Sequence, residues 1–516
     1  MLARPLLRRR KAGPATASSI TSPIGGLNAR DSLAAMPPQD AVIMTNFFCS
    51  PTTVDLRRGS VNWATGLPNF VESLMPYLSS TTPALFAASG TAIYDATNTG
   101  AIGAAVVTGL TNARFQHANF GTPGGQFLLN VNGADKLQGY DGTNWWVDGD
   151  ATHDITGFDT ALAIHINIFK NRVYLVEKNS FSVWYLGLQS ISGVATEFDM
   201  SSLFKLGGSL MAMATWTIDN AAGIQEYAVF LSTEGEIALY QGYDPSSSGS
   251  WSLVGMFRVG RPVGRRCFEK IGSDIVVISS DGAFPLSKAL LTDRYQLADA
   301  LSNKIVNLVN IAVQTYGSNF GWQPILYPLG NKLLVNVPVV EDSTAIQFVM
   351  NTITGAWHQF EDWNAACFAV LEDSLYYGGN GVVVKADTGN TDNDANIQGE
   401  VKTAFQYFGS PGQLKRWTMV RPIFSVAGNI SPAIRLDIDF ENVLPTQVAG
   451  FTAATGTLWD TALWDTFLWA SSLNIQRDWQ GANGVGYCAA FHMIITSAVE
   501  TQWMSIDYVM EKGSIL

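Results

Sequence analysis

Short apolar segments bounded by turn residues recur along the chain from about residue 85 onwards. One of them, 127–131, is followed directly by Asn132-Gly133, a pair that favours tight hairpin turns. Such runs between glycine, asparagine and aspartate are typical of β-strands joined in hairpins. The predicted strands are 85–88, 91–94, 127–131, 136–140, 143–146, 164–169, 172–176, 181–186, 227–232, 236–240, 274–279, 332–337, 345–350, 356–360, 367–371, 374–377 and 382–385.

These strands form clusters of about three or four that recur roughly every 40 to 60 residues, the spacing of blades in a β-propeller. The repeat is one of geometry, without a tight internal sequence repeat. We therefore predict an all-β protein with a β-propeller-type domain of about six or seven blades over residues 81–396. A long array of β-sandwiches is the alternative that the same pattern leaves open.

One segment has the periodicity of a helix. Over residues 297–313, apolar side chains recur at Leu301, Ile305, Leu308 and Val309. Because spacings of three and four residues place side chains on one side of an α-helix, we predict a helix here. It is expected to pack on the blades or to cover a channel mouth.

Changes in composition divide the rest of the chain. Residues 1–80 are rich in proline, glycine and serine with weak periodicity, and are predicted to form an extended N-terminal arm and lead-in. A polar linker, 387–396, precedes longer apolar segments, which predict a separate C-terminal β-rich, sandwich-like domain over residues 397–516. Its predicted strands are 401–408, 416–426, 433–440 and 487–497.

Within this C-terminal region a tryptophan recurs every fifth residue, at Trp459, Trp464 and Trp469. A spacing of five fits neither the turn of a helix nor one face of a strand. We interpret the run as short extended pieces joined by turns, with Asp460 and Asp465 hydrogen-bonded to the turn backbone. Three large aromatic side chains must pack against their own domain or against a neighbouring subunit, and a sugar-stacking platform is a further alternative.

The net charge and the spacing of the cysteines limit the classes of function that the sequence allows. The 516 residues carry a formal net charge of −12, whereas proteins that hold nucleic-acid phosphates tightly are usually basic. A protein that only surrounds DNA can nevertheless be acidic. The cysteines are far apart and predict neither a disulfide framework nor a zinc site, which favours assembly in a reducing cytoplasm. They are Cys49, Cys267, Cys367 and Cys488.

The N-terminus is basic from Arg8 to Lys11, but small and polar residues follow it in place of an apolar core segment. The sequence therefore predicts no signal peptide, and no apolar run is long enough to predict a membrane span. We interpret Arg8 to Lys11 either as a solvated arm or as an arm that becomes ordered on a partner surface.

No motif predicts catalysis, a cofactor or a metal. The histidines lack metal-site spacing, and the glycine-rich stretches 121–125 and 378–381 lack the lysine and helix of a phosphate loop. The Asp-Gly turns near Tyr140 and Ser280 are loosely similar to the Asp-Gly-Trp turns of sialidase-like propellers, but glycosidases also need two convergent carboxylates. The histidines are His117, His153, His165, His358 and His492.

Basic residues occur in three clusters, of which Arg57-Arg58 is the first. Each cluster is interpreted as a solvated face, a salt-bridging point between subunits or a position facing DNA. Together with the tryptophan run, the other two clusters give the candidate assembly or channel residues. These candidates are Arg261, Arg265, Arg266, Lys415, Arg416, Trp459, Trp464 and Trp469.

Several segments, taken in their order along the chain, resemble a known family. They are Ser22-Pro23-Ile24-Gly25-Gly26-Leu27-Asn28-Ala29-Arg30-Asp31 continuing to 36–41, Leu56-Arg57-Arg58-Gly59-Ser60 with 63–67, Phe169-Lys170-Asn171-Arg172-Val173-Tyr174, 349–357 ending in Gly355-Ala356-Trp357, and the tryptophan run. Together they resemble the tail hub or nozzle proteins of short-tailed bacteriophages, including packaged-DNA stabilisation and tail tubular B-like proteins. The basic arm of Arg8 to Lys11 has no counterpart in this resemblance.

The resemblance implies a structural, non-enzymatic virion protein without cofactors. Six copies would form a ring below the portal and adaptor, in contact with tail fibre or spike proteins, assembled in the host cytoplasm and without membrane insertion. Double-stranded DNA would be retained and then ejected through the ring without sequence recognition. An acidic lumen suits this role, because repulsion screened within about 8 Å permits sliding without sticking. The alternatives are a propeller-fold glycan-binding or glycan-hydrolysing protein, or another virion or secreted β-scaffold such as a receptor-binding module.

Overall fold

The computed structural model describes residues 15–220, 223–247, 249–289, 300–450 and 473–515. These residues confirm the prediction of an all-β protein, since strands account for nearly all of the regular structure. The chain divides into two compact units. The first unit contains the described parts of 1–58, 356–359 and 390–516, and the second contains those of 59–355 and 360–389.

The strands, in chain order, are β1 (Ala15–Thr21), β2 (Gly26–Leu27), β3 (Asp40–Thr45), β4 (Phe47–Cys49), β5 (Val54–Leu56), β6 (Ser60–Tyr77), β7 (Ala84–Ser89), β8 (Ala92–Asp95), β9 (Gly100–Ala101), β10 (Val107–Thr108), β11 (Gln116–Thr122), β12 (Gly125–Val131), β13 (Gln138–Tyr140), β14 (Trp145–Val147), β15 (Ile155–Thr156), β16 (Ala163–Phe169), β17 (Arg172–Glu177), β18 (Ser182–Tyr185), β19 (Gly193–Val194), β20 (Thr196–Asp199), β21 (Leu210–Asn220), β22 (Gly223–Ser232), β23 (Glu236–Gly242) and β24 (Trp251–Arg258). They continue with β25 (Phe268–Ile271), β26 (Asp274–Ser279), β27 (Gly282–Pro285), β28 (Gln323–Tyr327), β29 (Lys332–Val340), β30 (Thr344–Asn351), β31 (Trp357–Phe360), β32 (Cys367–Leu371), β33 (Ser374–Ala386), β34 (Thr391–Asp392), β35 (Ala395–Thr403), β36 (Gln413–Val426), β37 (Ala433–Ile438), β38 (Gln447–Val448), β39 (Asn474–Gln476), β40 (Gln480–Gly486), β41 (Ala489–Ser497) and β42 (Thr501–Ile515).

Four consecutive antiparallel sheets in the second unit form four blades of a propeller-like ring. They consist of β11–β14, of β16–β18 with β20, of β21–β24 and of β25–β27. Neighbouring blades bury their facing side chains together, as Ile166 and Val173 do with Leu129. Such face-to-face burial of alternate strand residues supplies the main stabilisation of the stacked sheets.

Local turn chemistry explains the hairpins within the blades. Lys170 and Asn171 link β16 to β17 with φ angles of 48° and 56°, the left-handed conformation of a two-residue hairpin turn. The predicted turn at Asn132-Gly133 is different, because β12 pairs with β13 only from Asn130↔Gln138 outwards. The connection is therefore longer than two residues, and the Asn132 side chain accepts hydrogen bonds from the backbone N–H groups of Ala134 and Asp135.

The first and last strands of the second unit pair with each other. The first part of β6 runs antiparallel to β33 from Ser60↔Ala386 to Phe70↔Asn380, and its second part pairs with β7. This overturns the prediction that residues 1–80 form an extended lead-in. Residues 60–77 form one 18-residue strand, whose register with β33 shifts along its length. Its prolines and glycines, such as Gly66 with a φ of 89°, are unusual within strands, so the sequence did not predict it.

The helical prediction over 297–313 is confirmed for its C-terminal part. Helix α2 (Val306–Tyr316) follows a 3-10 turn at Asn303–Ile305, and residues 290–299 lie outside the described part. A second helix, α1 (Leu286–Ala289), is a single turn, and another 3-10 turn spans Thr160–Leu162. Helix α2 ends at Gly317, whose N–H donates to the carbonyl of Val313.

The first unit contains two sheets. One has the strand order β39-β36-β42-β5-β4, with β1 on β42 and β40 on β36, and the other joins β3, β35, β41, β37 and β38. Phe491 of the second sheet lies 5.6 Å, between ring centroids, from Trp503 of the first. A Cβ on Gly399 would lie 2.7 Å from Phe47, so the sheets are closely packed there.

The domain boundaries therefore differ from the predicted ones. Strands β1 to β5, from the predicted lead-in, belong to the same unit as the C-terminal strands, because β1 and β5 pair with β42. Four of the predicted C-terminal segments overlap β35, β36, β37 and β41. The tryptophan run of Trp459, Trp464 and Trp469 lies outside the described residues.

Candidate functional site

A cavity of about 240 Å³ lies within the second unit, where the first strands of several sheets converge. We call it the axial cavity. Strands β6, β11, β16, β25, β28 and β32 contribute residues to it, together with the turn that precedes β25. Its lining consists of Leu74, Gln116, His117, His165, Arg265, Arg266, Phe268, Glu269, Gln323, Pro324, Cys367 and Phe368.

Arg266 connects two strands across this cavity. Its Nη2 donates to the carbonyls of Glu72 and Phe115, each at 3.0 Å, and to the Ser73 hydroxyl at 2.7 Å. Its guanidinium carbon lies 5.1 Å from the centroid of the Phe320 ring. Burial lowers the pKa of Arg266, because the charged guanidinium has lost water without gaining a bonded carboxylate.

Arg265 is less firmly held. Its one side-chain hydrogen bond in the described structure is a long one, 3.4 Å from Nη1 to the carbonyl of Asn132. Burial, and then the positive charge of Arg114, lower the pKa of Arg265. The cavity therefore contains two guanidinium groups whose hydrogen bonds go to neutral oxygens.

Burial favours the neutral forms of the other titratable groups of the cavity. Burial first, and a neighbouring arginine second, lower the pKa of both His117 and His165 to about 4. The His165 Nδ1 lies 3.5 Å from the backbone nitrogen of Met213, whose N–H it accepts. Burial raises the pKa of Glu269 to about 7, although its carboxylate accepts the N–H of Leu326 at 3.1 Å.

The Cys367 thiol of the cavity is not activated as a nucleophile. Burial raises the pKa of the Cys367 thiol to about 11, and the thiol donates to the carbonyl of Val71, so it remains protonated at neutral pH. The lining contains a single carboxylate, Glu269, whereas glycoside hydrolysis requires a pair. Within the described ranges no group of histidine, cysteine and acidic side chains is placed to hold a metal ion.

The predicted assembly or channel residues separate into four groups, the last of which is Lys415 alone. Arg265 and Arg266 meet in the axial cavity. Arg261 and Arg416 are surface residues with side chains 72% and 65% exposed, the first paired with Glu234 at 2.7 Å. The tryptophans lie outside the described residues, as stated above.

Lys415 is not at the surface. Its side chain is buried, and Nζ donates to the carbonyls of Ser410, Gln413 and Tyr487 at 2.6 to 3.0 Å. The prediction that Lys415 makes assembly or channel contacts is therefore corrected. Its ammonium group replaces lost water with three carbonyl oxygens of its own unit.

His117, His165 and Glu269 were not predicted as site residues. Each is isolated in the sequence, and a lone histidine or glutamate on a strand carries no motif. A usable signal was position, since each lies on a strand that begins one of the sheets. The first strands of neighbouring sheets contact one another, which brings these residues together.

The first unit holds a second buried polar cluster. Lys402 Nζ lies 2.6 Å from an Asp437 carboxylate oxygen and also donates to the carbonyl of Glu441. His492 lies between Asp437 and Glu400, at 3.3 and 2.8 Å. The buried charges of Lys402 and Asp437 therefore compensate each other.

Comparisons with known proteins give no family for the chain. Neither a protein-family model nor a curated protein sequence matches the chain. Among solved structures, it is similar to the extracellular domain of a hybrid two-component system from B. thetaiotaomicron, with 12% identity, a TM-score of 0.40, and coverage of 66% of this chain and 41% of that one. It is also similar to PorZ, a surface component of the type-IX secretion system of Porphyromonas gingivalis, with 10% identity, a TM-score of 0.38, and coverage of 79% and 59%. The chain thus spans less than two thirds of either protein.

The helices of the described ranges include none that is both apolar enough and long enough to span a membrane.

Proposed function

We propose that this chain is a structural subunit of a phage tail, a hub or nozzle protein. Six copies would form a ring whose central channel retains packaged DNA and conducts it during ejection. The observation that carries the proposal is spatial. Two segments on which the family resemblance rests, 22–31 and 349–357, are far apart in sequence but meet within the first unit at Gly26 and Trp357.

The contact between Gly26 and Trp357 explains why the segment 22–31 needs a glycine at position 26. Gly26 has a φ of 79°, and a Cβ there would lie 2.6 Å from the carbonyl oxygen of Trp357. Asn28 fixes the same turn, because its side chain accepts the backbone N–H groups of Arg30 and Asp31 and donates to Asp40 at 2.7 Å. The segment is therefore an architectural element, which is what a structural protein family would share.

The other resembling segments are also architectural. Arg57 is buried and pairs with Asp392, and Lys170-Asn171 forms a hairpin turn. The Asn351 side chain accepts the N–H groups of Ile353 and Thr354. These features support a resemblance of scaffold, and none of them is part of a catalytic arrangement.

We further propose that the ring has seven blades. Three further sets of strands follow beyond the four sheets. β7, β8 and β10 extend the second part of β6, β28 pairs with β29, which pairs with β30, and β33 pairs with both β32 and the first part of β6. Contacts of β25 with β28, β28 with β32 and β32 with β6 support closure of the circle. The two packed sheets of the first unit would form the sandwich-like domain.

The DNA channel would lie between copies of the chain. The axial cavity inside one ring is far too small for duplex DNA, and arginines line it. Six copies would multiply the net charge of −12 sixfold, and repulsion screened over about 8 Å would keep DNA from adhering to the wall. Contacts with portal, adaptor and fibre or spike proteins belong to the same proposal.

The mass and symmetry of the purified protein test this proposal. Mass photometry and negative-stain microscopy of the full chain, alone and with candidate portal and adaptor proteins from the same genome, should give a ring of six times 55.8 kDa. A monomer under all of these conditions would overturn the proposal. Turnover or binding of glycans by such a monomer would establish the glycan alternative instead.

A further inference from the structure

The axial cavity contains positive charge that no bonded carboxylate balances. In the described structure, the side-chain hydrogen bonds of Arg265 and Arg266 go to neutral oxygens, which are backbone carbonyls and the Ser73 hydroxyl. Both arginines are only partly accessible to solvent, and a guanidinium that loses water without gaining a counter-charge is destabilised. An arrangement of two such groups in one cavity is therefore best explained by a bound anion.

The acidic residues near the cavity supply only part of the missing charge. Glu72 attracts Arg266 without a bond from its carboxylate, and this attraction opposes the larger effect of burial on the pKa of Arg266. Glu72 bonds through its carboxylate to Arg114 at 2.8 Å, and Arg114 also bonds to Glu341 at 2.6 Å. Glu269 lines the cavity, but burial raises its pKa to about 7, so much of it is protonated at neutral pH. In that form it adds a hydrogen-bond donor to the cavity in place of a negative charge.

We propose that the axial cavity is a binding site for a small oxyanion, represented by phosphate. Arg265 and Arg266 would balance its charge, and His117 and His165, neutral at pH 7, would donate ring N–H groups to its oxygens. The guanidinium fork suits the geometry of phosphate and carboxylate oxygens. The cavity of about 240 Å³ is ample for such a group, since one water occupies only about 30 Å³ in the liquid. This site is independent of the proposed tail function.

Calorimetric titration of inorganic phosphate into the full-length protein tests the proposal. The buffer should hold ionic strength constant with sodium chloride, because screening by salt alone changes the behaviour of charged groups. We expect saturable binding of one phosphate per chain. Arg265→Gln should weaken it by about ten-fold or more, since the variant removes one charged donor group.

Arg261→Gln is the matched control, because Arg261 lies four residues earlier, is largely exposed, and pairs with Glu234 outside the cavity lining. It should bind phosphate as the unaltered chain does. Equal weakening by the two substitutions would overturn the proposal, as would the absence of phosphate binding to the unaltered protein. If Arg265→Gln does not fold, Arg265→Lys replaces it in the comparison. This variant keeps the positive charge but lacks the planar guanidinium, so it should also bind phosphate more weakly.

A parallel titration with glycerol phosphate separates two sources of the oxyanion. Tighter binding of the monoester would identify the site as one for a phosphorylated organic ligand. Binding of inorganic phosphate alone would identify a free-ion site. Failure of both probes to bind would refute the site, and would leave the hexameric-ring proposal untouched, because that one is tested by mass and symmetry.

Discussion

At the residue scale, adjacent arginines in this chain have opposite environments. Arg57 is buried, and its guanidinium bonds to Asn46, to the carbonyl of Arg58 and to both carboxylate oxygens of Asp392. Arg58 is exposed. A basic pair that appears uniform in sequence therefore contains one internal residue and one surface residue.

Arg57→Ala should destabilise the first unit by about 3 kcal/mol or more, because it leaves Asp392 without its principal cation. Urea unfolding followed by tryptophan fluorescence measures the loss. Arg58→Ala is the control and should change stability by less than about 0.5 kcal/mol. Similar losses in the two variants would mean that the buried ion pair does not stabilise the unit.

The titration of Glu269 should make the free energy of unfolding depend on pH. Its pKa is about 7 in the folded protein and 4.5 as the reference, so the folded state binds the extra proton. Its contribution to stability is fully present below pH 4.5 and is lost as pH rises through about 7. Glutamine at position 269 cannot ionise, so Glu269→Gln does not lose this stability as the pH rises. Between pH 4.5 and pH 8, the free energy of unfolding of the variant should rise by about 1 to 3 kcal/mol relative to that of the unaltered chain.

Thermal or urea unfolding in buffers without phosphate or sulfate measures this difference. His117 and His165 act in the opposite sense, since their lowered pKa values make stability fall as the pH drops below 6.5. Their effect is common to both proteins and cancels in the comparison. A constant difference between variant and unaltered protein from pH 4.5 to 8 would show that Glu269 titrates normally.

At the scale of elements, the hairpins depend on residues that tolerate left-handed backbone. Lys170 and Asn171 occupy this conformation between β16 and β17, and Glu372 and Asp373 occupy it between β32 and β33. Asparagine and aspartate accept positive φ better than β-branched residues do. The connections of the blades are therefore specified locally, one turn at a time.

Asn171→Val should destabilise the second unit by about 1 to 2 kcal/mol, because valine is strained at a φ of 56°. Asn171→Gly should be neutral or slightly stabilising. The control is Asn98→Val, at an exposed asparagine that is not among the positive-φ residues. Equal unfolding midpoints for the two valine variants would indicate that the turn does not restrain the hairpin.

This locality explains which elements could be predicted from sequence. The pairs β16–β17 and β22–β23 follow from apolar runs and the turn residues between them, and both predictions are confirmed. The pairing of β1 with β42 joins Ala15 to Glu511, and no local signal specifies a partner so distant. Strand β6 was not predicted for the same reason. Its proline and glycine residues disfavour a strand locally, and the strand is stabilised by pairing with the distant β33.

The axial cavity was predictable only in part, for the same reason. Arg265 and Arg266 stand out in sequence as a basic pair, but their shared cavity depends on six strands that are far apart in sequence. His117 and His165 looked structural when taken singly. Their relation to the arginines appears only when the sheets are arranged around one axis.

At the scale of the whole molecule, the second unit is nearly one continuous insertion in the first. The chain enters it at residue 59 and leaves it at residue 389, with only 356–359 belonging to the other unit. Its first and last strands, β6 and β33, pair with each other, and Lys385 Nζ lies 5.4 Å from the Trp63 ring across that pairing. Hydrogen bonds between the first and last strands thus close the second unit.

This closure predicts that residues 59–389 fold without the rest of the chain. We expect that fragment to show a β-rich circular dichroism spectrum and a cooperative thermal transition, because its main apolar clusters and the β6–β33 pairing are retained. The control fragment, 72–389, lacks the part of β6 that pairs with β33 and exposes the edge of that strand. It should melt at a lower temperature or aggregate. Identical melting of the two fragments would show that the terminal pairing contributes nothing to the ring, and an unfolded 59–389 would show that the second unit depends on the first.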